Sequence, residues 1–134
     1  KMYTTQLLDK VKTPLVNKFY KLHGASGRAN KQDQVWVIYL DEQIVAACRV
    51  QHKSNFLFLS TVYVAKEHRS KGLAKQLITD LLKHQHMHVY TFAFKNIVDL
   101  YLSIGFNQVL TYTADLHVLF DMYKHRNIVA LEYP

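Results

Sequence analysis

Cysteine and long apolar runs are scarce in this chain, and each scarcity excludes a class of protein. A single cysteine, Cys48, stands among 134 residues, so no disulfide forms within the chain and a reducing cytoplasm is the expected location. Apolar runs are only a few residues long, as in Ile44–Cys48, far short of the ~20 residues that a membrane-spanning helix needs. We also find no charged leader followed by an apolar segment. We therefore expect a cytoplasmic protein without a membrane partner.

Acidic residues are also few. Ten aspartates and glutamates face 17 lysines and arginines, which gives a net charge of +7. This balance indicates an anionic partner, although lysines scattered over a solvated surface would give the same total. The basic residues cluster at 68–75 and 28–31, and neither segment has the interleaved aromatic residues of a nucleic-acid-binding stripe. We expect an anionic ligand and no nucleic acid.

The order of predicted elements indicates one mixed α/β domain over residues 1–134. Its composition, 49% apolar and 20% charged, is that of an ordinary globular protein, and no repeat or linker interrupts it. A helical turn is predicted at 7–11, and a helix begins at Thr13, whose hydroxyl is expected to cap it ahead of Pro14. Strand patterns and helical patterns then alternate. The strands are predicted at 35–40, 43–51, 56–64, 89–94, 108–111 and 127–133, and the later helices at 72–84, 97–103 and 114–123.

The segment 62–77 is the most informative part of the chain. It is typical of an apolar strand, a short basic turn and then an amphipathic helix that opens at Gly72. In that arrangement several backbone N–H groups, the positive end of the helix dipole and nearby cationic side chains all point at one place. Gly72 allows the backbone to approach a ligand closely. The pattern predicts an anion site, and a diphosphate fits it best.

Two motifs resemble the GNAT family of N-acetyltransferases. Residues 69–74, Arg-Ser-Lys-Gly-Leu-Ala, match the Arg/Gln-x-x-Gly-x-Gly/Ala turn that holds the diphosphate of coenzyme A in that family. Residues 100–106 match its Leu-Tyr-x-x-x-Gly-Phe signature. The resemblance implies a GNAT-like fold, in which a mixed, mostly antiparallel sheet is flanked by helices and a splayed strand pair holds CoA. It also implies acetyl-CoA as co-substrate, no metal, and direct attack of an amine on the thioester.

The resemblance also implies roles for particular residues. Tyr101 would protonate the departing CoA thiolate, and the backbone near Val62 would donate a hydrogen bond to the thioester carbonyl. The expected CoA-binding residues are Val62, Tyr63, Val64, Arg69, Ser70, Lys71, Gly72, Leu73, Ala74 and Lys75.

The chain departs from the family pattern at two positions, and the first departure leaves the catalytic base open. Many members carry a glutamate on the strand that leads into the diphosphate turn, yet residues 56–64 contain no aspartate, glutamate or histidine. A base would then be a water held by Ser60 or Thr61, His52, or an acidic side chain across the cleft. The family also has an asparagine seven residues before the tyrosine, where this chain has Phe94. Asn96 is displaced by two residues, and we give it no role.

The remaining candidates have competing explanations. The long loop at 24–34 is either an acceptor lid, in which Arg28 and Lys31 recognise a carboxylate or phosphate, or simply a basic loop. His84, His86 and His88 could share one face of a strand, but no cysteine or carboxylate nearby completes a metal set. Cys48 lies among apolar strand residues, which does not favour a nucleophile.

The leading hypothesis is therefore an acetyl-CoA-dependent N-acetyltransferase. Its acceptor is a small-molecule or peptide amine of unknown identity, and the protein is a monomer or homodimer. One alternative is a non-catalytic acyl-CoA-binding module or sensor, which the missing strand glutamate favours. A small basic nucleic-acid-binding domain is the other, supported by charge alone.

Overall fold

The computed structural model describes residues 2–134, which form seven strands and four α-helices. The strands, in chain order, are β1 (Tyr3–Leu7), β2 (Gln34–Leu40), β3 (Gln43–His52), β4 (Leu57–Val64), β5 (Val89–Phe94), β6 (Asn107–Gln108) and β7 (Ile128–Tyr133). The helices are α1 (Thr13–Leu22), α2 (Leu73–Leu82), α3 (Val98–Ile104) and α4 (Ala114–Tyr123).

All seven strands belong to one sheet, in the order β1-β2-β3-β4-β5-β7-β6. Only β4 and β5 run parallel, whereas every other neighbouring pair is antiparallel. A parallel pair requires a crossover connection, and α2 lies in that connection. The sheet confirms the predicted fold class, a mixed and mostly antiparallel sheet flanked by helices.

Helices cover both faces of the sheet because side chains alternate along each strand. Trp36 and Ile38 of β2 pack in the cluster that contains α2 and α3, whereas Val35 and Val37 pack in the cluster that contains α1. Helix α4 covers the β4–β5–β7 part of the sheet through a third cluster. Leu77 of α2 has no exposed surface, and burying such a side chain contributes about 1.5–3 kcal/mol.

The predicted helical turn at 7–11 is wrong. Tyr3–Leu7 form an edge strand, and a short 3-10 turn follows at Lys10–Lys12. The strand lies at the edge of the sheet, pairs only with β2 and leaves Leu7 55% exposed. Because it is only partly buried, its sequence, Tyr-Thr-Thr-Gln-Leu, lacks the alternation of apolar and polar residues that would identify a strand.

The helix predicted at Thr13 does begin there, but its predicted cap is wrong. Lys12 is the N-cap, and the Thr13 hydroxyl donates a hydrogen bond to the Lys10 carbonyl at 2.7 Å. The reason is the preceding 3-10 turn, which places Thr13 inside the helix. The strand predicted at 108–111 is shorter than expected and covers only Asn107–Gln108. Within residues 2–134, every helix is too short or too polar to span a lipid bilayer.

Candidate active site

The parallel strands β4 and β5 separate part of the way along their length. They pair from Leu57 opposite Val89 to Leu59 opposite Thr91, and the Thr91 hydroxyl donates a hydrogen bond to the Leu59 carbonyl at 2.9 Å. We call this last pair the vertex. Beyond it β4 continues to Val64 without a partner on β5. The divergence opens a cavity of about 520 Å³ between the strands, which we call the cleft.

A β-bulge in β4 shapes one wall of the cleft. Arg49 of β3 pairs with Ser60 and Ala47 pairs with Tyr63, so one residue of β3 lies opposite two residues of β4, Thr61 and Val62. Thr61 has a φ of +53°, which is rare for a β-branched residue. Bulges re-aim backbone groups and occur beside active sites. Val62 is thereby left unpaired with either neighbouring strand, at the position from which its N–H was expected to act.

Helix α1 and the loop that follows it contact the bulge. The Tyr20 hydroxyl donates to the Thr61 carbonyl at 2.8 Å, and the Tyr63 hydroxyl donates to the His23 carbonyl at 3.0 Å. Gly27 lies so close that a Cβ added there would come within 2.9 Å of the Thr61 hydroxyl oxygen. Residues 24–27 of the predicted lid therefore line the cleft.

The basic turn and the start of α2 lie beyond the end of β4. Gly72 is the N-cap with a φ of +76°, no side chain caps the helix, and the first turn contains no acidic residue. Ser70 also has a positive φ, of +64°. The first backbone N–H groups of a helix lack intrahelical partners, and a Cβ at Gly72 would meet nothing within 4 Å. Lys71 and Lys75 lie on either side of Gly72 in the sequence, and both residues are exposed.

Arg69 is engaged differently from the rest of the turn. Its Nε donates to the Val64 carbonyl at 2.9 Å, and its guanidinium carbon lies 5.2 Å from the centre of the Tyr63 ring. These contacts fasten the turn to the end of β4. The residue is still exposed, so its side chain both positions the turn and presents charge to solvent.

Tyr101 stands at the vertex. It lines the cleft, its side chain is 3% exposed, and its ring packs edge-on against Phe106 at 5.3 Å. Burial raises the pKa of the Tyr101 phenol well above its usual range, and the nearby Thr91 side chain offsets part of that rise. The phenol therefore keeps its proton at neutral and mildly alkaline pH.

Arginines are the only charged residues that line the cleft within the described chain. They are Arg49 and Arg126, neither of which sequence reasoning singled out. Arg49 makes a buried ion pair with Asp33, in which Nε and Nη2 lie 3.0 and 2.9 Å from Oδ2. The alternation of β3 could have placed Arg49 on this face, but nothing in the sequence indicated its partner.

The suggested bases lie outside the cleft or are engaged. His52 is exposed and pairs with Leu57 at the start of β4, away from the diverging ends. Asp33 is bound to Arg49 and to the Asn30 N–H. The Ser60 hydroxyl lines the cleft and accepts a hydrogen bond from the Gln51 amide at 3.0 Å. Of the suggested bases, a water held by Ser60 or Thr61 is the one that would lie in the cleft, because both residues line it.

The other predicted positions fall outside the cleft or have structural partners. Arg28 lines a neighbouring cavity and Lys31 lines neither. His84 stacks on Trp36 at 5.3 Å, while His88 Nε2 lies 2.7 Å from the Glu132 carboxylate. No cluster of three metal-ligating side chains occurs in residues 2–134.

Cys48 is fully buried, and burial raises the pKa of its thiol well above the usual range. Phe94, at the position of the family's asparagine, lines the cleft, whereas Asn96 does not.

Comparison with known proteins agrees with this geometry. Structures that resemble the chain include Escherichia coli ElaA, with a TM-score of 0.71 and 16% identity over 99% of this chain and 100% of that one. Diaminobutyrate acetyltransferase EctA from Paenibacillus lautus, in complex with L-2,4-diaminobutyric acid and coenzyme A, has a TM-score of 0.68 and 15% identity over 98% of this chain and 93% of that one. The ribosomal-protein-S18-alanine N-acetyltransferase of Escherichia coli has a TM-score of 0.64 and 15% identity over 98% of this chain and 91% of that one. At 15–16% identity, these similarities show that the chain shares the fold of these proteins.

The family itself is shown by sequence. No curated protein matches the chain significantly by sequence. The model of the acetyltransferase (GNAT) domain, however, matches residues 31–108, more than half of the chain. Together with the splayed strands and the glycine turn, this match establishes that the chain belongs to the GNAT acetyltransferase family.

Proposed function

We propose that this protein transfers the acetyl group of acetyl-CoA to a primary amine. The observation that carries the proposal is the divergence of β4 from β5 at the vertex, with Tyr101 beside it and the uncapped start of α2 beyond it. EctA, a protein of the same fold, was solved with both coenzyme A and an amine substrate. That structure supports the proposal without identifying this chain's acceptor.

The diphosphate of CoA would lie against the turn at 69–75. The N–H groups of Gly72, Leu73 and Ala74 would donate to phosphate oxygens, since charge-assisted hydrogen bonds of this kind are short and strong. The Lys71 and Lys75 ammonium groups would add electrostatic attraction. Ser70, whose positive φ turns the backbone, would help to aim these donors.

The pantetheine arm would then run along the free edge of β4. Val62, Tyr63 and Val64 have no partner on β5, so their backbone groups can pair with the amide groups of the arm as a strand would. This placement would bring the thioester to the vertex, within reach of Val62 and Tyr101.

The reaction is direct attack. The amine nitrogen forms a bond to the thioester carbon, the carbon–sulfur bond breaks, and the electron pair leaves on sulfur. The Val62 N–H would stabilise the charge that develops on the carbonyl oxygen, and Tyr101 would give its proton to the thiolate. Alignment of the two reactants supplies up to ~7–11 kcal/mol of the rate enhancement and an acid ~10²–10⁴-fold more.

No carboxylate or imidazole lines the cleft within residues 2–134. Transfer would therefore use the fraction of acceptor that is already deprotonated, with water as the final proton acceptor. The same absence favours a second candidate function, a module that binds acyl-CoA without turnover.

Release of the CoA thiol distinguishes the two functions. Acetyl-CoA is incubated with amines, polyamines, amino acids and peptides, and acetylated product is identified by mass spectrometry. We expect amine-dependent release that falls roughly ten- to a thousand-fold in Tyr101→Phe with little change in acetyl-CoA affinity. Tyr112→Phe, which removes a phenol that does not line the cleft, is the matched control. Binding of acetyl-CoA without release for any amine would leave the non-catalytic module.

A further inference from the structure

A second cavity lies beside the cleft, between α1 and the loop that follows it. Its volume is about 550 Å³, and we call it the outer cavity. Both elements contribute to its lining, which includes Asn17, Lys18, Lys21, Ala25, Gly27 and Arg28.

The charge of the outer cavity has one sign. Lys18, Lys21 and Arg28 line it and are exposed, and no aspartate or glutamate lines it in the part of the chain that is described. Lys18 and Lys21 are three residues apart on α1, so they lie on the same side of that helix. A concave surface with charge of one sign concentrates ligands of the opposite sign.

The loop that carries Arg28 is fixed to α1. The Asn17 side-chain amide donates to the Ala29 carbonyl at 3.0 Å, and its oxygen accepts from the Ala29 N–H at 2.8 Å. Ala29 is 2% exposed. Because the backbone next to Arg28 is already held, a ligand would order little more than side chains on binding.

The outer cavity and the cleft adjoin each other. Ala25 and Gly27 line both. Arg126 of the cleft has the same sign as the charged residues outside, whereas the charge of Arg49 is balanced by Asp33. Each cavity is within the size range that one small ligand fills. An acceptor that reaches both is therefore longer than a single amino acid.

We propose that the acceptor is an acidic peptide, whose amine enters the cleft while its carboxylates lie in the outer cavity against Lys18, Lys21 and Arg28. The inference rests on the acetyl transfer proposed above and specifies its substrate class.

Peptides of different charge test the selectivity. Three tetrapeptides consist of alanine followed by Asp-Glu-Asp, Ser-Gly-Ser or Arg-Arg-Arg. Each is also made with a blocked amino end and one added lysine, so that either type of amine can react. We expect the acidic peptide to have the highest kcat/KM. The kcat/KM advantage of the acidic peptide should be smaller at 0.5 M salt than at 0.05 M. Salt screens interactions between charges, and the screening length passes through ~10 Å between these two concentrations.

Variants of the outer cavity test the location. Lys18→Gln, Lys21→Gln and Arg28→Gln should each raise KM for the acidic peptide about threefold, and the triple variant roughly tenfold or more, with kcat nearly unchanged. Lys12→Gln, which removes an exposed charge that lines neither cavity, is the control. The charge reversal Lys18→Glu with Lys21→Glu should shift the preference to the arginine peptide. Circular dichroism confirms that each variant is folded.

Equal use of the three peptides, preference for a free amino acid, or an unchanged KM in the triple variant would overturn the inference. Calorimetric titration of the acidic peptide into the CoA-loaded protein separates this failure from failure of the proposed function. Binding that weakens in the triple variant, without acetyl transfer to any peptide, would refute the transferase and leave the outer cavity as a peptide site.

Discussion

Replacing Gly72 by valine perturbs the anion site most locally. A Cβ at this position would project into open space, since no atom lies within 4 Å of it, so the fold is not disrupted by a clash. The cost to the folded state is the left-handed backbone at a φ of +76°, about 1–2 kcal/mol for a residue with a side chain. A domain with a stability of ~5–15 kcal/mol tolerates that, and the melting temperature should fall by roughly 3–10 °C.

The effect on CoA binding should be much larger. The new side chain would occupy the space where phosphate oxygens approach the first N–H groups of α2. Hydrogen bonds to charged groups contribute ~1.5–3 kcal/mol each, so the loss of two weakens binding by roughly 100-fold or more. From the micromolar dissociation constant that we expect for CoA and acetyl-CoA, affinity should fall to the millimolar range. Adenosine, which lacks the diphosphate, should bind weakly to both proteins.

Isothermal titration calorimetry measures the CoA affinity of Gly72→Val and of a control variant with a similar loss of stability. Asp41→Val places the same residue type at another positive φ, of +56°, in the turn between β2 and β3, which contains none of the expected CoA-binding residues. It should show a comparable loss of stability with unchanged CoA affinity. A folded Gly72→Val protein that binds CoA as tightly as the parent would refute the location of the diphosphate site.

Three further outcomes follow from the site. At saturating acetyl-CoA, Tyr101→Phe should lower turnover roughly ten- to a thousand-fold in a thiol-release assay, and unchanged turnover would return Tyr101 to a packing role. With a lysine-type acceptor, the rate should rise about tenfold per unit between roughly pH 7 and 9, because its ammonium pKa is ~10.4. His52→Ala should leave that profile unchanged, and a plateau above pH 7 lost in the variant would identify His52 as the base. Burial raises the pKa values of Tyr20, Tyr101 and Cys48 in the folded protein above those in the unfolded chain. Their contribution to stability is therefore complete at any pH below the unfolded-state pKa, and it is lost progressively as the pH rises from the unfolded-state pKa towards the folded-state pKa. Denaturant titrations should therefore show stability falling above roughly pH 9, by up to ~1.4 kcal/mol per pH unit for each group, and a flat profile to pH 11 would contradict their burial.

Much of the fold was predictable because its central elements carry strong periodic signals. The meander of β2, β3 and β4, the strand β5 and the helix α4 were placed within about two residues of their observed bounds. The missed strand, β1, lacks such a signal. Strand β1 gains its stability from one neighbour and from the Gln76 amide, which donates to the Tyr3 carbonyl at 3.1 Å, and neither contact is visible in a local pattern.

The site was predictable only where a motif occupies consecutive residues. The turn around Gly72 and the tyrosine of the Gly-Phe signature could be identified, since their chemistry depends on local spacing. The bulge at Thr61 could not, because the residues that contact it, Tyr20 and Gly27, are distant in sequence. The cationic lining of the cleft by Arg49 likewise depends on the tertiary arrangement.

Backbone amide chemical shifts on titration with CoA test the central claim most directly. If CoA extends from the start of α2 to the vertex, the largest changes should occur at Gly72 and Ala74 and, at the other end, at Val62 and Thr91. The outer cavity, reported by Lys18, should change little. Changes confined to the outer cavity, or to α2 without β4, would contradict the claim that the splayed strands hold the pantetheine arm of CoA.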